Sequence, residues 1–226
     1  MSRDNSLQSI EQAFTLAGGR FVLPAAEIAA ALKGCRGIVF DWDGVFNRGR
    51  KGESTQSDFT EVDSMGTNML RYGLWRLSGR QPFTAIISGE NNKTAAQFAG
   101  REHFHAVYTG IRDKREVIAK ITAEQGIEAK QLICVFDDIN DLGMAGLCGV
   151  RLMVRRDASP LLADYAAGQG ICDYLTGSAD YAVREVCELL LGLLGSYDDV
   201  VSSRVAVDDD YQRYFEARQA IACQTG

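Results

Sequence analysis

An α/β fold, built on a Rossmann-like and mostly parallel sheet with helices on both faces, is predicted by three observations. Short apolar runs alternate with helical patterns through most of the chain, the signature of βα units. Two of those runs end directly in clusters of aspartates, at the strand ends where open α/β sheets carry their reactive groups. The chain has 226 residues, is 46% hydrophobic and holds 3 prolines, enough for one domain that buries about 70% of the surface its unfolded form exposes.

Taken in order, residues 1–35 read as a leader with one helix near 25–32. The strand at 37–40 opens the main domain, which spans 36–195. Residues 46–62 are polar, glycine-punctuated and β-permissive, unlike a βα connection, and are expected to form a β-hairpin projecting from the first strand. A helix near 64–78 leads to a strand at 83–87, a helix near 92–101 to a strand at 106–108, and a helix near 113–125 to a strand at 132–136. A helix near 140–147, a strand at 150–154 and a helix near 160–167 follow. The last helix of the domain, near 180–194, carries Val183, Val186, Leu189, Leu190 and Leu193 on one face. Residues 196–226 read as an acidic linker through Asp208, Asp209 and Asp210 and a helix near 211–221.

Charge and cysteine usage narrow the partners. With 24 Lys+Arg against 30 Asp+Glu the net charge is -6, so the molecule as a whole repels a phosphate backbone. Its basic residues fall in short clusters (Arg48, Arg50, Lys51; Arg112, Lys114, Arg115; Arg155, Arg156) without interleaved aromatics, and no nucleic-acid role is expected. The 6 cysteines form no CxxC pair and read as buried thiols of a reducing compartment. No signal peptide or membrane-spanning run is visible, so a cytoplasmic protein without a membrane partner is expected.

The chemistry lies in the acids. Val39-Phe40-Asp41-Trp42-Asp43-Gly44-Val45 delivers two aspartates as a strand ends, and Phe136-Asp137-Asp138-Ile139-Asn140-Asp141 does the same on another. Carboxylates this dense repel one another unless a cation sits among them, and oxygen-only ligands suit Mg²⁺. Ser88-Gly89 ends a third strand just before a helix, offering a hydroxyl and backbone N–H groups to a phosphate. Lys114 follows the next strand and opens a helix, within reach of the same centre.

In that order, Asp41-x-Asp43-Gly44-Val45, Ser88-Gly89, Lys114 and Asp137-Asp138 with Asp141 resemble the four motifs of the haloacid dehalogenase-like phosphohydrolases. Within that superfamily the chain is most similar to the branch of 3-deoxy-manno-octulosonate 8-phosphate and acylneuraminate 9-phosphate phosphatases, through Tyr108-Thr109-Gly110, Asp113-Lys114, Asp137–Leu142 and Ala182–Cys187. The resemblance implies a Mg²⁺-dependent phosphomonoesterase acting on a small phosphorylated sugar or sugar acid. Asp41 would attack phosphorus, Asp43 would act as acid and then base, and Ser88 and Lys114 would hold the transferring phosphoryl group. Asp41, the backbone carbonyl of Asp43, and Asp137 would ligate the metal, with Asp138 and Asp141 in support. Gly44, Asp63, Gly89 and Asn140 are the candidates for binding substrate. The branch is uncapped and uses its hairpin to build a homotetramer; here the hairpin and one helix fill the stretch between Asp41 and Ser88, leaving no room for a cap domain.

Three positions depart from the branch pattern. An Arg-Asp-Gly segment reads Val62-Asp63-Ser64, an arginine after the second-motif glycine is Glu90, and a Gly-Gly-Arg-Gly segment is Ser178-Ala179-Asp180-Tyr181. Cations that would face a substrate carboxylate are lost at these positions, which predicts a less acidic or differently arranged sugar phosphate. Phe136 in place of a common glycine has no account beyond core packing. Two other readings stay open: a catalytically silent or regulatory scaffold of the same fold, and a receiver-like phospho-switch binding a partner through its termini.

Overall fold

The computed structural model describes residues 6–50 and 57–226. Among these residues eight strands form one sheet in the order β1-β7-β6-β5-β2-β3-β4-β8, where β1 is Arg20–Phe21, β2 Gly37–Phe40, β3 Phe83–Ile87, β4 Ala106–Tyr108, β5 Leu132–Phe136, β6 Val150–Met153, β7 Tyr174–Leu175 and β8 Gln224–Thr225. All neighbours are parallel except β1 against β7. Every residue of β2, β3 and β5 is buried, as expected of strands covered on both faces.

Among the described residues the ten α-helices are α1 (Leu7–Leu16), α2 (Ala25–Leu32), α3 (Glu61–Ser78), α4 (Lys93–Arg101), α5 (Lys114–Gln125), α6 (Leu142–Ala145), α7 (Pro160–Gly168), α8 (Ala182–Leu193), α9 (Tyr197–Ala206) and α10 (Asp209–Gln219). One core joins one sheet face to α2, α3, α4 and α8 through Ile38, Phe40, Leu70, Phe98, Val186 and Leu190. A second core joins the opposite face to α5, α6 and α7 through Val39, Cys134, Ile118, Ile121, Met144 and Ala166. Helices α3 and α8 approach closely: a Cβ on Gly73 of α3 would lie 2.4 Å from the Leu191 side chain of α8, which would have to shift to admit it.

The sequence expectations hold for the five central strands and need correction around them. The 1–35 leader is not merely helical, because α1 precedes the expected α2 and β1 joins the sheet against β7. The 196–226 segment holds no acidic linker: Asp198 and Asp199 open α9, Asp208 caps α10 by accepting from the Tyr211 N–H, and β8 extends the sheet beside β4. Acids in a first helical turn complement the helix dipole, so the acidic run is compatible with helix and does not mark a linker.

The expected hairpin at 46–62 falls partly on residues 51–56, which lie outside the described residues. Its described flanks, 46–50 and 57–60, contain no strand, and residues 61–62 are already helical. Thr60 accepts from the Asp63 N–H as N-cap of α3, so helix starts earlier than its apolar periodicity suggests. Near 140–147 a 3₁₀ turn at Ile139–Asp141 precedes the short α6. Among the described residues no helix is long and apolar enough to cross a membrane. All 6 cysteines are free thiols, and four of them are buried.

Candidate active site

Strand order creates the site. From β2 the chain goes to β3 and β4 on one side and to β5, β6 and β7 on the other, so the strand order, though not the strand direction, reverses between β2 and β5. Crevices form at the carboxyl ends of strands at such a reversal. Phe40 pairs with Val135 across that boundary, and the Asp41 N–H donates to the Val135 carbonyl, which sets Asp41 and Asp137 on adjacent strand tips.

Carboxylate oxygens of Asp41, Asp137 and Asp141 all lie within 4.8 Å of one another, and the three residues are buried. Lys114, the first residue of α5, places its ammonium between them, donating to Asp41 Oδ1 and, over 2.5 Å, to Asp141 Oδ1. The other oxygen of Asp141 accepts the backbone N–H groups of Asp138 (3.2 Å) and Asp137 (3.4 Å), bracing the turn that presents Asp137. Asp138 faces the cleft and caps the 3₁₀ turn through the Ile139 N–H.

Electrostatics follow from that crowding. Burial first, and then the charge of Asp141, push the Asp41 carboxyl well above the usual carboxylate range despite the pull of Lys114. Burial raises Asp137 to about 6, with Arg156 opposing and Asp141 adding to the rise. For Lys114 burial works downward, but the carboxylates of Asp41 and Asp141 outweigh it and raise its pKa, so the ammonium stays charged.

Asp43 stands beside this centre in its own network. Its Oδ1 accepts from the Ser57 hydroxyl at 3.0 Å and from the Asn92 amide at 3.4 Å, and the same amide donates to Ser57 at 2.7 Å. Asn92 is also the N-cap of α4, its oxygen accepting from Thr94 and Ala95 N–H groups, which fixes the orientation of the amide. Gly44 has φ +99, and a Cβ there would lie 2.2 Å from Asp137 Oδ2, so the turn after Asp43 closes onto the acids only as glycine.

Asp41, Asp43, Lys114, Asp137, Asp138 and Asp141 line a cleft of about 600 Å³ together with Gly89, Asn140 and Glu90, whereas Gly44, expected to bind substrate, does not line it. Ser88 lies buried beneath Gly89, its hydroxyl accepting from the Glu90 N–H at 3.4 Å. Asp63 is a correction: it does not line the cleft. Its carboxylate accepts from the Arg184 N–H and the Thr60 hydroxyl, in the contact between α3 and the start of α8.

The cleft also holds cations that the motif comparison does not reach. Arg48, Arg112 and Arg156 all line it. Arg48 forms a two-point ion pair with Asp180, Arg112 is exposed at the mouth, and Arg156 donates from Nε to Asp137 Oδ2 at 2.6 Å. Positions 62, 90 and 178–181 therefore do not leave the cleft without guanidinium groups; loops elsewhere supply them. Ser57, Asn92 and Arg156 escaped the sequence reading, since no strand-end motif marks them.

No family model matches the chain, and no curated protein matches it. Solved structures do. A protein described as a probable YrbI-family phosphatase from Pseudomonas syringae pv. phaseolica 1448a is 26% identical, with a TM-score of 0.65 over 79% of this chain and 97% of its own. The 3-deoxy-D-manno-octulosonate 8-phosphate phosphatase of Moraxella catarrhalis, solved with magnesium, phosphate and the sugar acid, is 24% identical, with a TM-score of 0.64 over 79% of this chain and 98% of its own. The cobalt-bound deoxy-D-mannose-octulosonate 8-phosphate phosphatase of Haemophilus influenzae is 20% identical, with a TM-score of 0.64 over 79% of this chain and 99% of its own.

Proposed function

We propose, on the premise that the chain has the fold of the haloacid dehalogenase-like hydrolases, that it is a divalent-cation-dependent phosphomonoesterase for a small phosphorylated sugar or sugar acid. One observation carries the reading: a buried carboxylate at the tip of β2, Asp41, is held by a charged lysine and flanked by two further acids, with a second aspartate, Asp43, two residues on in a separate hydrogen-bond network. Three buried acids whose oxygens lie within 4.8 Å of one another offer several ligands to one cation. The donor set, all oxygen and without nitrogen or sulfur ligands, fits a hard cation such as Mg²⁺.

Asp41, Asp137 and the Asp43 carbonyl would hold the ion, with Asp141 beside them. Bound there, Mg²⁺ would neutralise charge on the nucleophile and on the phosphoryl oxygens. Asp41 then attacks phosphorus through a carboxylate oxygen while Asp43 gives its proton to the departing sugar oxygen, leaving a phosphate bonded to Asp41 and Asp43 ionised. In the second half Asp43 takes a proton from water, the hydroxide attacks phosphorus, the bond to Asp41 breaks and inorganic phosphate leaves. Lys114 compensates the charge of the transferring group, and the Ser88 and Gly89 turn offers its hydroxyl and backbone N–H groups to the phosphoryl oxygens. The Ser57–Asn92 pair orients Asp43 for both proton transfers.

Phosphate release from a panel of sugar phosphates and sugar-acid phosphates, with and without Mg²⁺, tests this reading. Asp41→Asn should lower kcat by about 10³-fold or more while leaving the fold intact by circular dichroism. Turnover unchanged in that variant would sink the nucleophile and the mechanism with it. The homotetramer and the cytoplasmic location belong to the same proposal; sedimentation velocity and cell fractionation read them.

A further inference from the structure

Arg156 is one of the cleft groups that the mechanism does not use, and it alone of the three arginines contacts the acid cluster. It lies just beyond β6, is about one third exposed, and directs both Nε (2.6 Å) and Nη2 (2.5 Å) at a single atom, Asp137 Oδ2. The same Nη2 fills the space over Gly44, where a Cβ would come within 1.9 Å of it. The guanidinium is thus wedged between a carboxylate read above as a cation ligand and the backbone turn that follows Asp43, another part of that ligand set.

Counting charges gives the wedge a consequence. Asp41, Asp137 and Asp141 bring at most three negative charges, and Lys114 and Arg156 return two positive ones. A guanidinium keeps its charge at every working pH, so the acids are already largely compensated before any metal arrives. A divalent ion must meet that positive charge at contact range, in a buried site where screening is weak.

Arg156 also has somewhere else to go. It lines a neighbouring cavity of about 380 Å³ that contains the carboxylates of Asp157 and Asp164. Both of those acids are exposed, and their ion pairs with Arg155 and Arg20 lie at the surface.

We propose that Arg156 is a tethered competitor of the divalent cation: it occupies Asp137 when the metal is absent and yields Asp137 Oδ2 when the metal binds. This rests on the reading of Asp137 as a cation ligand. Its effect is to hold divalent affinity below what the acids alone would give, so that occupancy follows the free cation concentration.

Calorimetric titration of Mg²⁺ and of Mn²⁺ into the full chain, at neutral pH and without substrate, is the test. Arg156→Gln should tighten binding about tenfold or more, and Arg156→Lys, which keeps the charge, should stay within about threefold of the wild type. Unchanged or weaker binding in Arg156→Gln overturns the proposal, because the arginine would then support Asp137 rather than compete for it. Equal tightening in Arg156→Lys overturns it too.

Wild-type protein gives an independent readout should the variants fold poorly. The Arg156 Nε–H resonance should shift on saturation with Mg²⁺ as its bond to Asp137 is lost, and a resonance that does not move counts against the competition. If no form of the protein binds Mg²⁺ or Mn²⁺, the cation-dependent reading fails and this one with it. If the wild type binds and Arg156→Gln does not tighten, only the competition fails.

Discussion

At His105 the backbone N–H of Thr84 donates to Nδ1 over 3.1 Å, which makes Nδ1 the acceptor and leaves the proton of the neutral ring on Nε2. Burial, and then the positive charge of Arg71, lower its pKa to about 4. A depressed folded pKa means that the neutral ring stabilises the fold above its ordinary value near 6.5, and that this stability is lost as pH falls through about 4. The shift corresponds to about 3 kcal/mol. Urea unfolding between pH 7 and pH 4 should therefore be less steep in pH for His105→Gln than for the wild type by about that amount, and parallel curves would refute the assignment. Carboxylates elsewhere titrate equally in both proteins, so the difference isolates the imidazole. Nothing in the string His103-Phe104-His105 distinguishes the two histidines; only the fold separates them, one paired to a strand N–H and the other contacting the Ile221 carbonyl.

Among the elements, α3 bears the widest responsibility, because it packs on α8 with one face and receives the C-terminal helices with another. Tyr214 of α10 donates to both the backbone and the side-chain oxygen of Asn68 at 2.9 Å, and its ring meets those of Tyr72 and Trp75. Arg218 reaches Glu102, and Tyr72 contacts Ser203 of α9. Tyr214→Phe should cost about 1 kcal/mol or somewhat more by leaving the Asn68 oxygens short of a donor. Tyr214→Ala should cost about 3–5 kcal/mol by adding a cavity. Chemical denaturation reads both, and near-equal values would mean that the ring packs nothing. This region was the least legible in the sequence. Strands β2 to β6 announce themselves as apolar runs because both of their faces are covered. In contrast β1, β7 and β8 have two residues each, too few to show any period. The α9 run, Tyr197 to Ala206, has only Val200 and Ser203 buried, so its helix depends on docking that local pattern does not encode.

For the molecule as a whole, a cation held at the acid cluster, as proposed above, would couple its binding to folding. A ligand that binds only the folded form at about one hundred times its Kd adds about 2.7 kcal/mol, or roughly 5–10 °C in Tm for a chain of this size. Mg²⁺ should raise the thermal midpoint by that order and EDTA should reverse it; a midpoint indifferent to both Mg²⁺ and Mn²⁺ would contradict the coupling. The central acids were legible because each follows an apolar strand and precedes a helix, an order that needs only the chain to be seen. The outer wall was not, since Arg48, Arg112 and Arg156 arrive from three separate loops and matter only through the reach of their side chains. That division has a bearing on descent. The spacing of Asp41 and Asp137 is inherited from the ladder between β2 and β5, and cannot drift without breaking the sheet. The arginines hang from connections that tolerate replacement one at a time. A lineage built this way can exchange the molecules it acts on by rewriting loops, while the reaction at the strand tips stays untouched.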